Sequence, residues 1–439
     1  MSATTTPVAD AALRPGGAGF RIALAGALAG VVVLAIAVSA LLVLGIGIWG
    51  NNVPHVWGFD LIAYAWWIGI ANAASLFAAV LVIRRHGLRT AVNRFAEAAA
   101  LAAVVAAAFY PILHLGRPWL AHWTFPYPAH TGLWPQFGSP LVWDFWGITA
   151  HVVVTSLFWF IGLIPDLATM RDRAAARGRM TVARAYGLFA LGWRGSLAHW
   201  HRHQAAYRLV AALVLPLLLW AQTVVALEFA TTLVPAWHQA RLPLHVIVTG
   251  LPSGLGIVLA LAAVLRVALS LERFVDEEDM DLLARLVACA ALAAGASYAH
   301  ELAVGLLRED AETRAALVAR AFGVGAPAYW GGVLLTVVVP QVLWRDAWRD
   351  RCAVVLPVGL LAAAGVWLDR WSLVVDGLVR MPRPEAAAYH PSAAEWGLLL
   401  GTVALFVTLL LLFGRLLPAV SMFETRHEES EAEAEEEER

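Results

Sequence analysis

The sequence predicts an all-α, polytopic membrane protein of about ten transmembrane helices, and three observations carry that prediction. The 439-residue chain is 60% hydrophobic, with a mean hydropathy of +0.69. Only 14% of it is charged, where a soluble globular chain carries about a quarter. Apolar runs of roughly 17–27 residues recur along the chain, each close to what a ~30 Å hydrocarbon core requires at about 1.5 Å per residue.

In order, the runs are Ile22–Ile48, Leu61–Ile83, Phe95–Leu115, Leu141–Ile164, Tyr207–Ala230, Leu244–Leu269, Leu282–Leu307, Ala326–Trp344, Cys352–Leu368 and Ala394–Phe413. The polar start carries Arg14 and Arg21. The run after it is longer than the ~7–15 residues of a secretory signal, so it reads as a retained helix. The chain thus divides into an N-terminal segment, 1–21, a transmembrane domain, 22–413, and a tail, 414–439. The EESEAEAEEEER run of the tail is expected to be solvated and disordered.

All basic residues are arginines. The N-terminus, the connections after the second, fourth, sixth and eighth runs, and the C-terminus, together with the run ends that adjoin them, hold 23 of the 31. The positive-inside rule then places both termini in the cytoplasm. The longest basic connection, RDRAAARGRMTVARAYGLFALGWRGSLAHWHRHQ, is expected to lie along that face as one amphipathic segment, meeting lipid headgroups or a partner.

A net charge of −1 gives no electrostatic case for nucleic acid. Cys289 and Cys352 lie in or beside apolar runs without metal-ligand spacing, and there is no CxxCH. That excludes iron–sulfur or zinc ligation by cysteine, and c-type haem, within the chain. No Walker A, dinucleotide fingerprint or internal repeat is present.

The informative stretch is Tyr110 to Trp146. His114 closes one apolar run and Asp144 opens the next; between them lie Arg117, Trp119 and a connection rich in Pro, Trp and Tyr that reads as a structured lid. Glu228 ends the fifth run on the same outer side, and His300 and Glu301 end the seventh. Ionisable groups at such positions mark functional sites by default. A neutral imidazole and a carboxylate in an apolar site suit removal of two protons from a hydroquinone as two electrons leave. Capping of helix ends is the plainer reading. Arg117 would hold a carboxylate ionised or stabilise a quinone anion, and the Trp rings would wall the cavity.

His151 lies seven residues after Asp144, on the same helix face and about 10 Å deeper. It is expected either to hydrogen-bond a neighbouring Ser, Thr or carbonyl, or to serve a proton relay. Haem b needs two histidines on facing helices at similar depth. His114, His245 and His300 share the outer side but show no paired spacing.

At these residues the chain resembles the NrfD/PsrC family of membrane quinone-reactive subunits, and within it the C subunit of bacterial alternative complex III. The resemblance runs from Gly45 to Phe413. It is carried by GIGIWGNNVPHVWGFDL, AYAWWIGIANAASL, NRFAEA, FYPILHLGRPW, FPYP, GLWPQFGSPLVWD, FWFIGLIPDLATMRDRA, YGLFALGWRGSLAHWHR, PQVLW and VWLDRW. It implies two four-helix bundles plus two peripheral helices in a bacterial inner membrane, with no haem or iron–sulfur cluster in the chain. It also implies a menaquinol or ubiquinol site near the outer surface, in which His114 and Asp144 take the family's His and Asp positions. Glu228 stands where relatives carry Asp. The implied pocket is His114, Arg117, Trp119, Asp144 and Glu228.

The implied partners are a periplasmic iron–sulfur or molybdopterin-type subunit, multihaem cytochrome c subunits and a second NrfD-like membrane subunit. The groups available to a relay are His151, Asn72, Gln222 and Glu301. Asn72 and Gln222 replace family histidines and Ala363 replaces an asparagine, so a transmembrane proton route is expected to be thin, with long apolar gaps on either side of His151. The expected function is a quinol-oxidising subunit, non-catalytic alone, of an alternative complex III type oxidoreductase. The alternatives are the membrane anchor of a molybdopterin-type polysulfide, sulfite or tetrathionate reductase, and a secondary transporter. A transporter should show broken helices and repeats in both halves, and the sequence shows neither.

Overall fold

The computed structural model describes residues 17–51, 55–124, 140–268, 271–272, 274–378 and 389–422. Among them, ten helices are long and apolar enough to cross a membrane. They are α1 (Ala18–Leu44), α2 (Phe59–Arg84), α3 (Leu88–His114), α4 (Pro140–Ala176), α5 (Leu197–Ala230), α6 (Leu242–Ala268), α7 (Glu277–Leu307), α8 (Ala326–Trp344), α9 (Cys352–Val374) and α10 (Ala393–Leu416). The acidic tail and the polar start before Gly17 lie outside the described residues.

Helix ends follow local chemistry, and several differ from the hydropathy pattern. α1 stops at Gly45, whose φ of +81° suits glycine, so Ile46–Ile48 forms a separate 3-10 turn. α5 starts ten residues before Tyr207 because Ser196 caps it, its hydroxyl accepting the His199 N–H at 3.3 Å. The expected single amphipathic segment is therefore two pieces, a short helix at Met180–Phe189 and the first turns of α5. α8 is irregular. Its first turns are α-helical, Leu334–Val338 widens into a π-turn and Val339–Trp344 tightens to 3-10, because Pro340 cannot donate to the helix ladder. α9 runs six residues past Leu368, which brings Asp369 and Arg370 inside the helix.

Packing sorts the helices. α2 packs on α3, α5 and α6; α4 packs on α3 and α5; α6 packs on α7 and α9; α8 packs on α7 and α9. α1 packs on α10, and α10 on α3. α2 and α6 are each 72% buried along their apolar window and α1 only 22%, so α2 and α6 form the centre and α1 the outside. Where α6 crosses α9 the backbones nearly touch: a Cβ on Gly256 would lie 2.8 Å from the Gly359 carbonyl oxygen. Small residues permit this approach, which in lipid supplies the van der Waals contact that holds helices together.

Candidate functional site

The first two turns of α2 carry Asp60 and Tyr64, four residues apart and so on one helix face. α3 delivers His114 to the first of them: its Nδ1 hydrogen-bonds Asp60 Oδ2. Asp60 is buried, while the His114 side chain keeps 35% of its surface, so the ring stands at the mouth of the site. α4 delivers Asp144 to the second: the Tyr64 hydroxyl donates to Asp144 Oδ1, both groups being buried. His114 and Asp144 thus each find a partner on α2.

Glu228, near the end of α5, is close enough to act electrostatically on both Asp144 and Tyr64. Its Oε1 is buried with no hydrogen-bond partner. Among the described residues, neither Asp144 nor Glu228 has an ion pair. Phe229 meets Trp57 and Trp237 edge-on at 6.2 and 5.1 Å, and the two indoles stack at 5.3 Å, giving the site an apolar wall beside Glu228. Arg117, just before the 3-10 turn Pro118–Thr124 that follows α3, and Trp119, on that turn, are both exposed. The rest of the expected lid, 125–139, lies outside the described residues.

A second buried cluster occupies the same end of α6–α9. His245 hydrogen-bonds Ser297 at 2.9 Å and Asp369 at 3.3 Å, and the Tyr298 hydroxyl donates to Asp369 at 2.7 Å. Arg370 pairs with Asp369 and donates to the Val246 carbonyl at 2.8 Å. Arg320, on a helix at Ala311–Phe322, pairs with Glu301 at 3.0 Å, and Tyr329 donates to the same carboxylate at 3.2 Å. The expected His300–Glu301 group does not form. Adjacent helical residues point about 100° apart, so Glu301 faces inward to its arginine while His300 is exposed. Glu301 is therefore a member of this cluster and has no place beside His151.

Between α2, α4 and α5 the interior is more polar than expected. His151 is 1% exposed and both ring nitrogens lack partners among the described residues, in place of the expected bond to Ser, Thr or carbonyl. Asn72 Oδ1, both Gln222 amide atoms, Ser75 Oγ and Thr155 Oγ1 are also buried and unpartnered. Toward the far end, Asn93 and Tyr207 both bond Glu97, and Arg94 pairs with Asp166 at 3.1 Å. The expected apolar gap beyond His151 is thus occupied by Ser75, Thr155 and Glu97.

A family model described as polysulphide reductase, NrfD, matches residues 48–382. The chain belongs to the NrfD family. No curated protein matches it. The match takes in α2 to α9, and hence both clusters, and leaves α1 and α10 outside. Among the described residues of this NrfD chain, no three His, Cys, Asp or Glu side chains converge as a metal site.

Sequence reasoning missed Asp60 and Tyr64. Asp60 falls one residue before the second apolar run and was singled out only as part of the motif ending GFDL; an acidic residue in a first helical turn facing a terminal histidine is the signal that finds it. Asp369 and Arg370 were equally visible in VWLDRW. An Asp–Arg pair at the end of an apolar run reads as a boundary, yet here it is buried.

Proposed function

We propose that this NrfD chain is the quinone-reactive membrane subunit of a respiratory oxidoreductase, and that quinol gives up its protons at Asp60, His114, Asp144 and Glu228. The observation that carries the reading is a set of acids at one end of α2–α5 that no arginine among the described residues pairs with, beside a partly exposed histidine and an aromatic wall. Two carboxyl groups that face each other without a cation exchange a proton instead of holding a counter-ion.

The chemistry follows from the contacts. With Asp60 accepting from Nδ1–H, His114 is held in the tautomer whose Nε2 accepts a proton from one quinol hydroxyl. The second hydroxyl proton passes to the Asp144–Glu228 pair, and Tyr64 fixes the Asp144 oxygen it donates to. The two electrons leave to an iron–sulfur or haem centre of a partner subunit. The helix packing supports an arrangement of two four-helix bundles, α2–α5 and α6–α9, flanked by α1 and α10. The arginine bias supports a bacterial inner-membrane protein with both termini cytoplasmic and the site facing outward.

The family description favours the anchor of a polysulfide-reductase-type complex with a molybdopterin partner. Such a reductase draws its electrons from the quinol pool, so the half-reaction at this subunit is quinol oxidation, as it is for the C subunit of alternative complex III. A specific observation favours the latter as second reading: α1 and α10 lie outside the family match and pack as a peripheral pair. Its partners would then be multihaem cytochromes, an iron–sulfur subunit and a second NrfD-like chain. The polar groups His151, Asn72 and Gln222 would carry any proton route inward, through ordered water.

Isolation from the native membrane tests this. The chain should co-purify with an iron–sulfur subunit, and His114→Gln should lower quinol:acceptor turnover by about the 10²-fold typical of losing a general base. A single-chain preparation carrying its own b-type haem spectrum would overturn the reading.

A further inference from the structure

We propose that residues 49–51 and 55–60, between the end of α1 and the first turn of α2, line the outlet for protons taken from quinol, with His55 as its relay group. This rests on the assignment of His114 and Asp60 to the quinol site. Four polar atoms that are buried and without partners among the described residues lie along these two stretches: Trp49 Nε1, Asn51 Oδ1, His55 Nε2 and Asp60 Oδ1. Buried polar groups are almost always paired, by protein or by ordered water, so four together mark a hydrated passage.

Their neighbours place them around the site's mouth. The Trp49 ring lies 6.4 Å from the His114 ring, and the His55 ring lies 5.9 Å from Tyr389. The Tyr389 hydroxyl accepts the Phe59 N–H at 2.8 Å, one residue before Asp60. A Cβ on Gly58 would lie 2.7 Å from Asn51 Oδ1, so Gly58 leaves the room in which that atom sits. Asp60 bonds His114 through Oδ2 and turns Oδ1, its unpartnered oxygen, away from that bond.

The walls are braced by Glu395. Its carboxylate accepts from the Tyr389 hydroxyl and from the Gly50 and Ser392 N–H groups, each of the latter at 2.7 Å. With both oxygens satisfied, Glu395 is a brace that ties the α1–α2 connection to the start of α10. His55 is 4% exposed and carries no such bonds among the described residues. Burial pushes its imidazole below the ordinary histidine range, so a proton that reaches it is passed on and not held.

The proton balance is simple. His114 Nε2 takes a proton from a quinol hydroxyl and releases its Nδ1 proton to Asp60. Asp60 gives that proton through water to His55 Nε2, and His55 releases its other ring proton to solvent. The accompanying electron goes to a one-electron metal centre of the partner, and only O–H and N–H bonds change.

The test is quinol:acceptor turnover of the intact complex carrying His55→Gln or His55→Ala, at low and high concentrations of imidazole buffer, with His114→Gln as reference. The outlet predicts a fall of roughly tenfold at low buffer, less than the loss of a general base, with KM unchanged and the rate restored by imidazole. Full turnover of both His55 variants at low buffer overturns the outlet, as does a loss that imidazole does not relieve. If His114→Gln also retains full turnover, the quinol-site assignment falls with it; if only the His55 variants do, the assignment stands and the outlet alone fails.

Discussion

At one end of the protein, the α2–α5 half buries Asp60, Asp144 and a Glu228 oxygen with no arginine among the described residues paired to them, while the α6–α9 half buries Asp369 and Glu301 each against one. Both clusters use His, Tyr and carboxylate. The guanidinium separates them: a carboxylate bonded to arginine has its charge satisfied in place and holds helices together, whereas one bonded only to tyrosine or histidine can exchange its proton at modest cost. A buried ion pair is weak evidence for net stability, yet removing one partner strands the other charge. The two halves are therefore expected to fail differently when mutated.

The largest effect is expected on folding in the α6–α9 half. Arg370→Gln takes the guanidinium from buried Asp369, leaving its charge to His245 and Tyr298 alone, and should cost roughly 3–5 kcal/mol, the range for breaking a buried pair. The measurement is thermal unfolding and detergent-soluble yield of the intact complex. Arg370→Gln that is as stable as wild type would erase the distinction between the halves. Asp144→Asn should do the reverse, keeping stability within about 1 kcal/mol, since the amide still accepts from Tyr64. Quinol turnover in the same variant should fall by about 10²-fold.

Glu228→Gln sharpens the comparison inside the first half. Glu228 has no hydrogen-bond donor on its buried oxygen, whereas Asp144 is oriented by Tyr64. Its loss should cost turnover less, about tenfold, below the range for a positioned acid or base. A greater sensitivity at Glu228 would reverse the two roles. The smallest effect belongs to His151→Gln, expected to leave uncoupled quinol oxidation within about twofold, because the ring lies about 10 Å below Asp144 along α4. Proteoliposome turnover with internal pH followed alongside checks it; a large loss of coupled turnover restored by an uncoupler would show that a transmembrane relay through His151 exists, and a loss that persists with uncoupler would place His151 on the oxidation path itself.

The ten helices were legible because apolar length is a direct physical requirement of the bilayer. Their ends were not, since caps such as Ser196 extend a helix through polar sequence such as AHWHRHQ. His114, Asp144 and Glu228 were legible as charges at the ends of apolar runs. Their partners were hidden for a different reason: Asp60, Tyr64 and Arg370 acquire meaning only when another helix arrives beside them, and one sequence carries no pairing information. His151 shows the same limit, because its lack of a partner is a property of α2 and α5 as much as of α4.

The most direct measurement is photo-crosslinking of the intact complex with an azido-quinone, followed by peptide mapping. The account predicts label on the segments around Trp57–Tyr64, Tyr110–His114 and Asp144, competed away by quinol and lost in His114→Gln. Label concentrated instead on His245, Ser297–Glu301 and Asp369–Ser372 would contradict it, placing the quinone in the arginine-paired half.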